Sequence, residues 1–414
     1  MLGNTLTQNR LSYLFYAVSL LGVSALWYSP AIVSVATVVC IVLSLLRLKS
    51  FFKTPFKPVS VVLVVLMLLV LIDVIVSGFQ GQASAKFLLI LGFVGVFTAS
   101  YHFGKSDSRT MLIYLLIISS IVALVNMIAV GNYFMHKEYF DTMLLQSKHI
   151  PVGMHHIHFG VLNGLLIILL FGSFFVIEKW NRVHKIISTI ILSIIFISFH
   201  ILSSRTGLFS FYGASLVMLV VYAVRKSQYK VILIGVLTLS VSLGAAYGLS
   251  SSFQNKVANS IEDMSSWGKG EEINYKSMGM RIEAARMCVY IIRLNPLGVG
   301  ATAQDAAMAA TYEALDSVLL EANRVGPHNQ FLEYGVKYGW FGILVILSFF
   351  FSLFAWAKDS SFSMWGIITL LFIAVFFESL LERQASLYFI ALLVPLSYHF
   401  FVKKGINDAA EDLI

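Results

Sequence analysis

Three short polar segments carry side chains suited to chemistry on a phosphorylated substrate. They are Ser204-Arg205-Thr206-Gly207, Gly279-Met280-Arg281 and Pro327-His328-Asn329. Two guanidinium groups that face one cavity can bind a pyrophosphate, because each planar group donates parallel hydrogen bonds to phosphate oxygens. His328 follows a proline at a predicted helix start, where the positive end of the helix dipole favours the neutral imidazole. A neutral imidazole can accept a proton, as a general base near neutral pH must.

The same residues also have structural interpretations. Arg205 could extend to lipid phosphates at a membrane surface. Arg281 stands at the start of a predicted helix, where the dipole disfavours a cation, and it could pair with Glu283 or another nearby acid. His328 could cap or pack at the end of a helix. The residue types and spacing alone leave both interpretations open.

A group of histidines raises the question of a metal site. The group consists of His149, His155, His156 and His158. Adjacent histidines point in different directions, no carboxylate accompanies them, and the chain contains no Asp-x-Asp pair. We therefore predict that the site uses no metal ion and no cofactor.

The composition indicates that membrane-spanning helices position these residues. The chain has 414 residues, of which 58% are hydrophobic and 12% charged, and its mean hydropathy is +0.84. A soluble domain carries roughly 25% charged residues, so a cytosolic enzyme, a disordered protein and a secreted disulfide scaffold are excluded. The net charge of +8 then reports membrane orientation and does not indicate nucleic-acid binding. Cys40 and Cys288 form neither a disulfide framework nor a zinc motif.

Twelve apolar stretches are each long enough, at about 20 residues, to cross a bilayer as a helix. They lie near residues 11–28, 31–48, 59–77, 86–103, 111–130, 159–177, 186–203, 207–224, 231–249, 331–356, 363–381 and 385–402. An even number of spans places both termini on one side. Sixteen basic residues fall on that side and five in the short loops of the other, so both termini are predicted to be cytoplasmic. We interpret the first stretch as an uncleaved span.

The chain is thus predicted to be an all-α polytopic membrane protein with one large polar loop. Residues 1–249 hold spans one to nine, 250–327 form the loop, 328–402 hold spans ten to twelve, and 403–414 form a cytoplasmic tail. The loop is predicted to be mostly helical, with helices near 280–294 and 304–322. Arg205 lies in the turn between spans seven and eight, Arg281 in the loop and His328 at its end. All three are on the side opposite the termini, so the site is predicted at the membrane boundary away from the cytoplasm.

Five further polar residues are predicted to support the same site. They are His200, Asp73, Asn329, Glu378 and Arg383. Four of them are ionisable, and ionisable groups in or beside membrane spans are costly and therefore frequently functional.

Several short motifs follow one another between Arg205 and Gly342. They are Ser204-Arg205-Thr206-Gly207, Gly279-Met280-Arg281, Asn295-Pro296-Leu297-Gly298-Val299-Gly300, Pro327-His328-Asn329-Gln330-Phe331-Leu332, and then Gly335, Gly339 and Gly342. In order and spacing these motifs resemble the O-antigen ligase/polymerase family. The segment from Glu378 to Gln384 is similar to the span-eleven segment of some ligases. Many spans with one large loop late in the chain also fit this family.

The resemblance implies an inner-membrane glycosyltransferase of the C-type class. Such ligases transfer a finished glycan from undecaprenyl diphosphate to a sugar hydroxyl of the lipid A–core, in the periplasm of Gram-negative bacteria, with inversion and without metal. Carried over to this chain, Arg205 and Arg281 would bind the diphosphate, and His328 would activate the acceptor hydroxyl. The implied partners are the lipid-linked donor, the lipid A–core acceptor and membrane lipid.

Other functions remain open at this point. A polymerase uses the same donor with a second lipid-linked glycan as acceptor, and a protein O-oligosaccharyltransferase transfers to a Ser or Thr hydroxyl. The similarity of the segment from Glu378 to Gln384 to the span-eleven segment of some ligases favours the ligase. A flippase or transporter of lipid-linked oligosaccharides is expected to carry charged residues at mid-membrane, and the midplane stretches here are nearly free of charge.

Overall fold

A computed structural model describes residues 2–46, 57–105, 107–145, 148–176, 181–202, 204–269, 273–358 and 360–411. The helices are α1 Leu2–Ala25, α2 Pro30–Leu45, α3 Lys57–Val76, α4 Gly81–Phe103, α5 Ser108–Met135, α6 Lys137–Leu145, α7 His156–Val176, α8 Arg182–Leu202, α9 Arg205–Lys226, α10 Lys230–Leu249, α11 Ser251–Gly268, α12 Ser277–Leu294, α13 Gln304–Ala314, α14 Gln330–Ala357, α15 Phe362–Phe377 and α16 Gln384–Glu411. Short 3₁₀ turns occupy Glu321–Asn323 and Leu380–Glu382. Within these ranges the protein is all-helical, as predicted.

Nine of the described helices are long and apolar enough to cross a membrane. They are α3, α4, α5, α7, α8, α9, α10, α14 and the first part of α16. Three shorter apolar helices, Arg10–Ala25, Pro30–Leu45 and Phe362–Phe377, lie at the predicted first, second and eleventh spans. The total of twelve spans and the orientation stay predictions. Four basic residues used for the orientation lie outside the described residues: Arg47, Lys49, Lys53 and Lys179.

The starts of α7 and α9 are held together by a close helix crossing. A Cβ added at Gly207 would lie 2.8 Å from the backbone carbon of Gly160, so the two backbones touch where no side chain intervenes. Such small-residue contacts are a common way for membrane helices to approach closely. The crossing fixes the position of Arg205, which begins α9.

The loop between α10 and α14 contains three helices. The predicted helix near 280–294 is confirmed as α12, whereas the predicted helix over 304–322 is wrong in length, because α13 ends at Ala314. Asp316 adopts a left-handed conformation with φ 44°, and the N–H of Ser317 donates to the carbonyl of Tyr312 at 3.0 Å. This hydrogen bond satisfies one of the last carbonyl groups of α13, and the left-handed residue ends the helix.

The third loop helix, α11, was not predicted because its buried face is polar. Asn259 and Asp263 are buried, while Ile261 and Met264 are 65% and 61% exposed. Beyond Phe253 and Val257, the face that packs inward therefore carries no continuous apolar stripe with helical spacing. Such a stripe is the usual sequence signal for a helix.

The helix α14 is broken at Gly339, which has φ 64° and ψ −154°. The break exposes carbonyl groups that the Asn295–Gly300 motif satisfies: Val299 N–H donates to Val336 and Gly300 N–H donates to Lys337, both at 2.9 Å. Trp340 N–H in turn donates to the carbonyl of Pro296 at 3.0 Å. The loop motif and the glycines of α14 thus form one structural unit, which fixes the first segment of α14.

Candidate functional site

The starts of α9, α12 and α14 meet beside the turn between α15 and α16, and we call this place the site. These helices begin at Arg205, Ser277 and Gln330, and the contacts described below connect all three. Helix N-termini carry partial positive charge and unpaired N–H groups, so their convergence favours an anion.

Glu378 is the central acid of the site. The helix α15 ends at Phe377, and Glu378 follows in an extended conformation with its carboxylate only 5% exposed. The Nδ1 atom of His328 lies 3.3 Å from the Glu378 Oε2 atom, and the Arg281 Nη2 atom lies 3.6 Å from the same oxygen. Arg281 Nη1 also donates to the carbonyl of Phe377 at 2.7 Å. One carboxylate therefore orients both residues that the sequence analysis assigned to separate roles.

The charge state of Glu378 determines what His328 can do. Although burial opposes ionisation, the hydrogen bond and charge of His328 and the charge of Arg281 lower the pKa of Glu378 to about 2. An ionised carboxylate only accepts hydrogen bonds, so His328 places a proton on Nδ1. In the neutral imidazole the Nε2 atom is then free of a proton and can act as a base.

The backbone around His328 is held in an uncommon conformation. His328 has φ 45°, a left-handed value that costs energy for a non-glycine residue and occurs preferentially at functional sites. Asn329 caps α14 by accepting from the N–H groups of Phe331 and Leu332, and its side-chain nitrogen donates to the carbonyl of Phe376 at 2.9 Å. Asn329 thus ties the start of α14 to the end of α15 and supports the position of His328.

Arg205 is connected to the same helices through Asp263, which the sequence analysis missed. The Arg205 Nη1 atom lies 3.3 Å from Asp263 Oδ2, and the N–H of Met278 donates to that oxygen at 3.2 Å. Asp263 therefore joins α9 to the first turn of α12, three residues before Arg281. No sequence motif marks Asp263, because its partners come from distant parts of the chain.

Lys256 adds a third cation near Arg205. It lies two turns before Asp263 on α11, and its ammonium donates to the carbonyl of Lys148 at 2.9 Å. Burial and the charge of Arg205 lower the pKa of Lys256 to about 8, although Asp263 opposes this change. Burial also lowers the pKa of Arg281, an effect that Glu378 opposes and Arg205 strengthens. The charge of Arg205 thus acts on both Lys256 and Arg281, and this concentration of positive charge favours binding of an anion.

The cations of the site are accessible while its acids are not. The side chains of Arg205, Arg281 and His328 are 32%, 25% and 29% exposed, whereas Asp263 and Glu378 are each 5% exposed. The acids therefore contact the cations on the side that faces the protein interior. The guanidinium and imidazole groups remain accessible to a substrate. Fixed donors of this kind stabilise negative charge that develops during a reaction.

A buried ion-pair network lies next to Glu378 in the same turn. Glu382 pairs with Lys86 at 2.5 Å and with Lys337 at 2.7 Å, and Lys337 also pairs with Glu333 at 2.7 Å. Despite burial, the charges of the two lysines hold the pKa of Glu382 well below its usual value. The network fixes the 3₁₀ turn Leu380–Glu382 between α4 and α14, and through it the position of Glu378. The sequence analysis assigned no role to Lys86 or Lys337, because Glu382 lies far from both along the chain.

The remaining predicted residues are placed around this arrangement. Asp73 is buried and accepts from the N–H of Ala301 at 3.1 Å, so it holds the Asn295–Gly300 motif. His200 hydrogen-bonds Phe196 and Tyr212 within the helix bundle, and these contacts do not reach His328. Arg383 is exposed at the turn before α16, and its charge helps to lower the pKa of nearby His155 to about 4, mainly an effect of burial.

The four histidines pack together at the start of α7. His149 stacks on His156 with ring centroids 3.8 Å apart, and His155 lies 4.9 Å from His156 and from His158. Among the described residues, no group of three or more His, Cys, Asp or Glu has the arrangement of a metal site. Metal independence stays a prediction.

Asp263 is expected to control the binding of an anionic substrate through Arg205. Asp263→Asn should raise the KM for such a substrate several-fold, because Arg205 loses the acid that orients it. A double-mutant cycle with Arg205→Gln should show a coupling of about 0.5–3 kcal/mol, the range for residues in direct contact. The matched control is Glu262→Gln, which removes the neighbouring acid, 69% exposed. Strictly additive effects on KM would show that the Arg205–Asp263 contact has no functional role.

The comparisons with known proteins concern this same region. The O-antigen ligase family model matches residues 190–347, from the middle of α8 to the middle of α14. No match is found among curated proteins. The matched residues include Arg205, Arg281 and His328, on which the resemblance depended, and they lie in a chain with at least nine helices suited to membrane spanning. Through this region the chain is similar to the O-antigen ligase family, in agreement with the resemblance found in its sequence motifs.

Proposed function

We propose that the protein is an O-antigen ligase, which transfers a glycan from undecaprenyl diphosphate to a sugar hydroxyl of the lipid A–core. The observation that carries the proposal is a pair of contacts joined through the first turn of α12: Asp263 holds Arg205 and the N–H of Met278, and Glu378 holds Arg281 and His328. The cations of this arrangement are accessible, and its one imidazole is oriented. In this proposal the protein lies in the inner membrane of a Gram-negative bacterium with the site facing the periplasm.

The diphosphate is the leaving group, and the site must stabilise the charge that grows on its oxygens. Arg205 and Arg281 supply planar donors for this, and the helix starts supply partial positive charge. Removing one preorganised donor of this kind typically costs about 10²–10³ in rate. No step of this mechanism requires a metal ion, since the arginines bind and neutralise the diphosphate.

The acceptor hydroxyl must lose its proton as it attacks the anomeric carbon. The Nε2 atom of His328 takes that proton, while Nδ1–H remains hydrogen-bonded to Glu378. The C–O bond to the diphosphate breaks as the new glycosidic bond forms on the opposite face, so the configuration inverts. A positioned base contributes about 10²–10⁴ to the rate.

Replacing His328 with Ala in the native host tests the proposal. The expected result is a bare lipopolysaccharide core on a gel, together with long glycan that accumulates on the lipid carrier. A core that carries a single repeat unit would mean that polymerisation has failed, and the protein would be a polymerase. An unchanged gel pattern, with the variant present in the membrane at the normal level, would show that His328 is structural.

A further inference from the structure

The helix α14 bends sharply at Gly339 and does not cross the membrane as one straight rod. The ring centroid of Phe372 lies 6.3 Å from that of Phe331 and 5.2 Å from that of Phe350. In a straight helix Phe331 and Phe350 would lie roughly 28 Å apart, because each residue adds about 1.5 Å. The segment before Gly339 therefore turns back toward α15, and residues 340–357 remain to span the membrane. At roughly 18 residues this second segment is about 27 Å long, close to the thickness of the hydrocarbon core.

The helix α12 and the motif that follows it connect the ends of two apolar helices. Near the start of α12, Arg281 Nη1 donates to the carbonyl of Phe377, the last residue of α15, at 2.7 Å. Beyond its end, the N–H of Ala301 donates to Asp73, near the end of α3, at 3.1 Å. Because α3 and α15 are the predicted third and eleventh spans, they end at the same membrane boundary. The helix α12 therefore runs along this boundary and brings the Asn295–Gly300 motif to the bend of α14.

Four large apolar side chains, which we call the corner, are exposed where this motif meets the bend of α14. Leu294 and Leu297 belong to the loop and are 64% and 89% exposed. Trp340 and Phe341 begin the second segment of α14 and are 57% and 53% exposed. The N–H of Trp340 donates to the carbonyl of Pro296 at 3.0 Å, so the loop and helix parts of the corner are fixed against each other. Neighbouring exposed apolar side chains of this size mark a contact surface.

Membrane lipid is the partner that suits the corner. Trp340 stands at the start of the spanning segment, and tryptophan is enriched at the boundary between lipid headgroups and hydrocarbon. Arg293 is an exposed cation beside Leu294, and its head can extend to lipid phosphates while its stem lies on apolar surface. Phe341 and Leu344 continue the exposed apolar surface along the spanning segment. The corner is thus continuous with a surface that faces lipid.

We propose that the corner inserts into the membrane leaflet nearer the site, so that Leu294 and Leu297 hold the loop between α10 and α14 on the bilayer surface. The inference goes beyond the proposed function and does not depend on glycan transfer. Since Arg281 lies on α12, the inserted corner also keeps this arginine close to the membrane surface. A substrate that is anchored by a lipid can reach it there.

Nitroxide labels on single introduced cysteines test this placement in vesicles of phosphatidylethanolamine and phosphatidylglycerol. Leu297→Cys carries the test label, and Leu344→Cys marks the exposed apolar surface of α14. Glu313→Cys is the matched control in water, because the Glu313 side chain lies on α13 in the same loop and is 74% exposed. The native Cys40 and Cys288 are buried and do not take the label in the folded protein. Relative to a water-soluble nickel chelate, oxygen, which concentrates in lipid, should collide several-fold more frequently with the Leu297 label than with the Glu313 label.

Two results would overturn the inference. Equal nickel access at Leu297 and Glu313, with the Leu344 label in lipid, would place the loop part of the corner in water. A Leu297 label that is shielded from both probes would show that protein, such as a second copy of the chain, covers the corner. Leu294→Cys repeats the measurement at the other loop residue, so that a local distortion by one label is recognised. Glycan transfer takes no part in these measurements, so failure of the proposed function is detected separately, by absent turnover.

Discussion

Glu378→Gln is expected to reduce the rate of the proposed glycan transfer by about 10⁴-fold, comparable to the loss of the carboxylate that orients the histidine in serine proteases. The substitution keeps the size of the side chain but removes the charge that Arg281 and His328 share. His328 then faces an amide that can donate as well as accept, so its proton is no longer fixed on Nδ1, and Arg281 loses its buried counter-ion. We expect a lower kcat together with a higher donor KM, because the two roles depend on one group.

Steady-state kinetics of the purified variant measure this effect, with thermal unfolding as a check on the fold. Glu138→Gln is the control, because Glu138 is an exposed acid outside the site. Since the pKa of Glu378 is lowered from 4.5 to about 2, its ion pairs contribute fully above about pH 4.5 and are lost as the pH falls through about 2. Protonation of Glu378 therefore does not explain a loss of activity between pH 5 and 7. A folded Glu378→Gln protein within about threefold of wild type would disprove the orienting role.

Gly339→Ala is expected to prevent accumulation of folded protein. Gly339 has φ 64° and ψ −154°, a combination that is essentially restricted to glycine. A Cβ at this position would also overlap the carbonyl oxygen of Pro296, which accepts the hydrogen bond from Trp340. Backbone strain of this kind costs about 1–3 kcal/mol, and the steric overlap adds to it.

The abundance of the variant in membranes and its unfolding temperature in detergent report this effect. Gly244→Ala is the matched control, because a Cβ at Gly244 in α10 meets no atom within 4 Å. It should be neutral or slightly stabilising, since alanine favours a helix more than glycine does. Wild-type abundance and stability of Gly339→Ala would show that the break in α14 is not required.

The sequence determined the membrane-spanning architecture of this protein. Apolar runs such as those of α3 and α14 are more stable in lipid than in water. In lipid a helix is favoured because it forms all of its backbone hydrogen bonds within the segment. It also identified Arg205, Arg281, His328 and Glu378 as candidates, since charged residues at the ends of such runs are costly and therefore conspicuous. The family match extends over the first three of them.

Only the tertiary structure decided how these residues are connected. Asp263 lies 58 positions from Arg205, and Glu378 lies 50 positions from His328, distances along the chain over which no local pattern acts. The break in α14 likewise depends on carbonyl groups that a distant loop satisfies. Local spacing predicts helices because their hydrogen bonds are local, whereas the acids that orient the site reach it through packing between helices far apart in sequence.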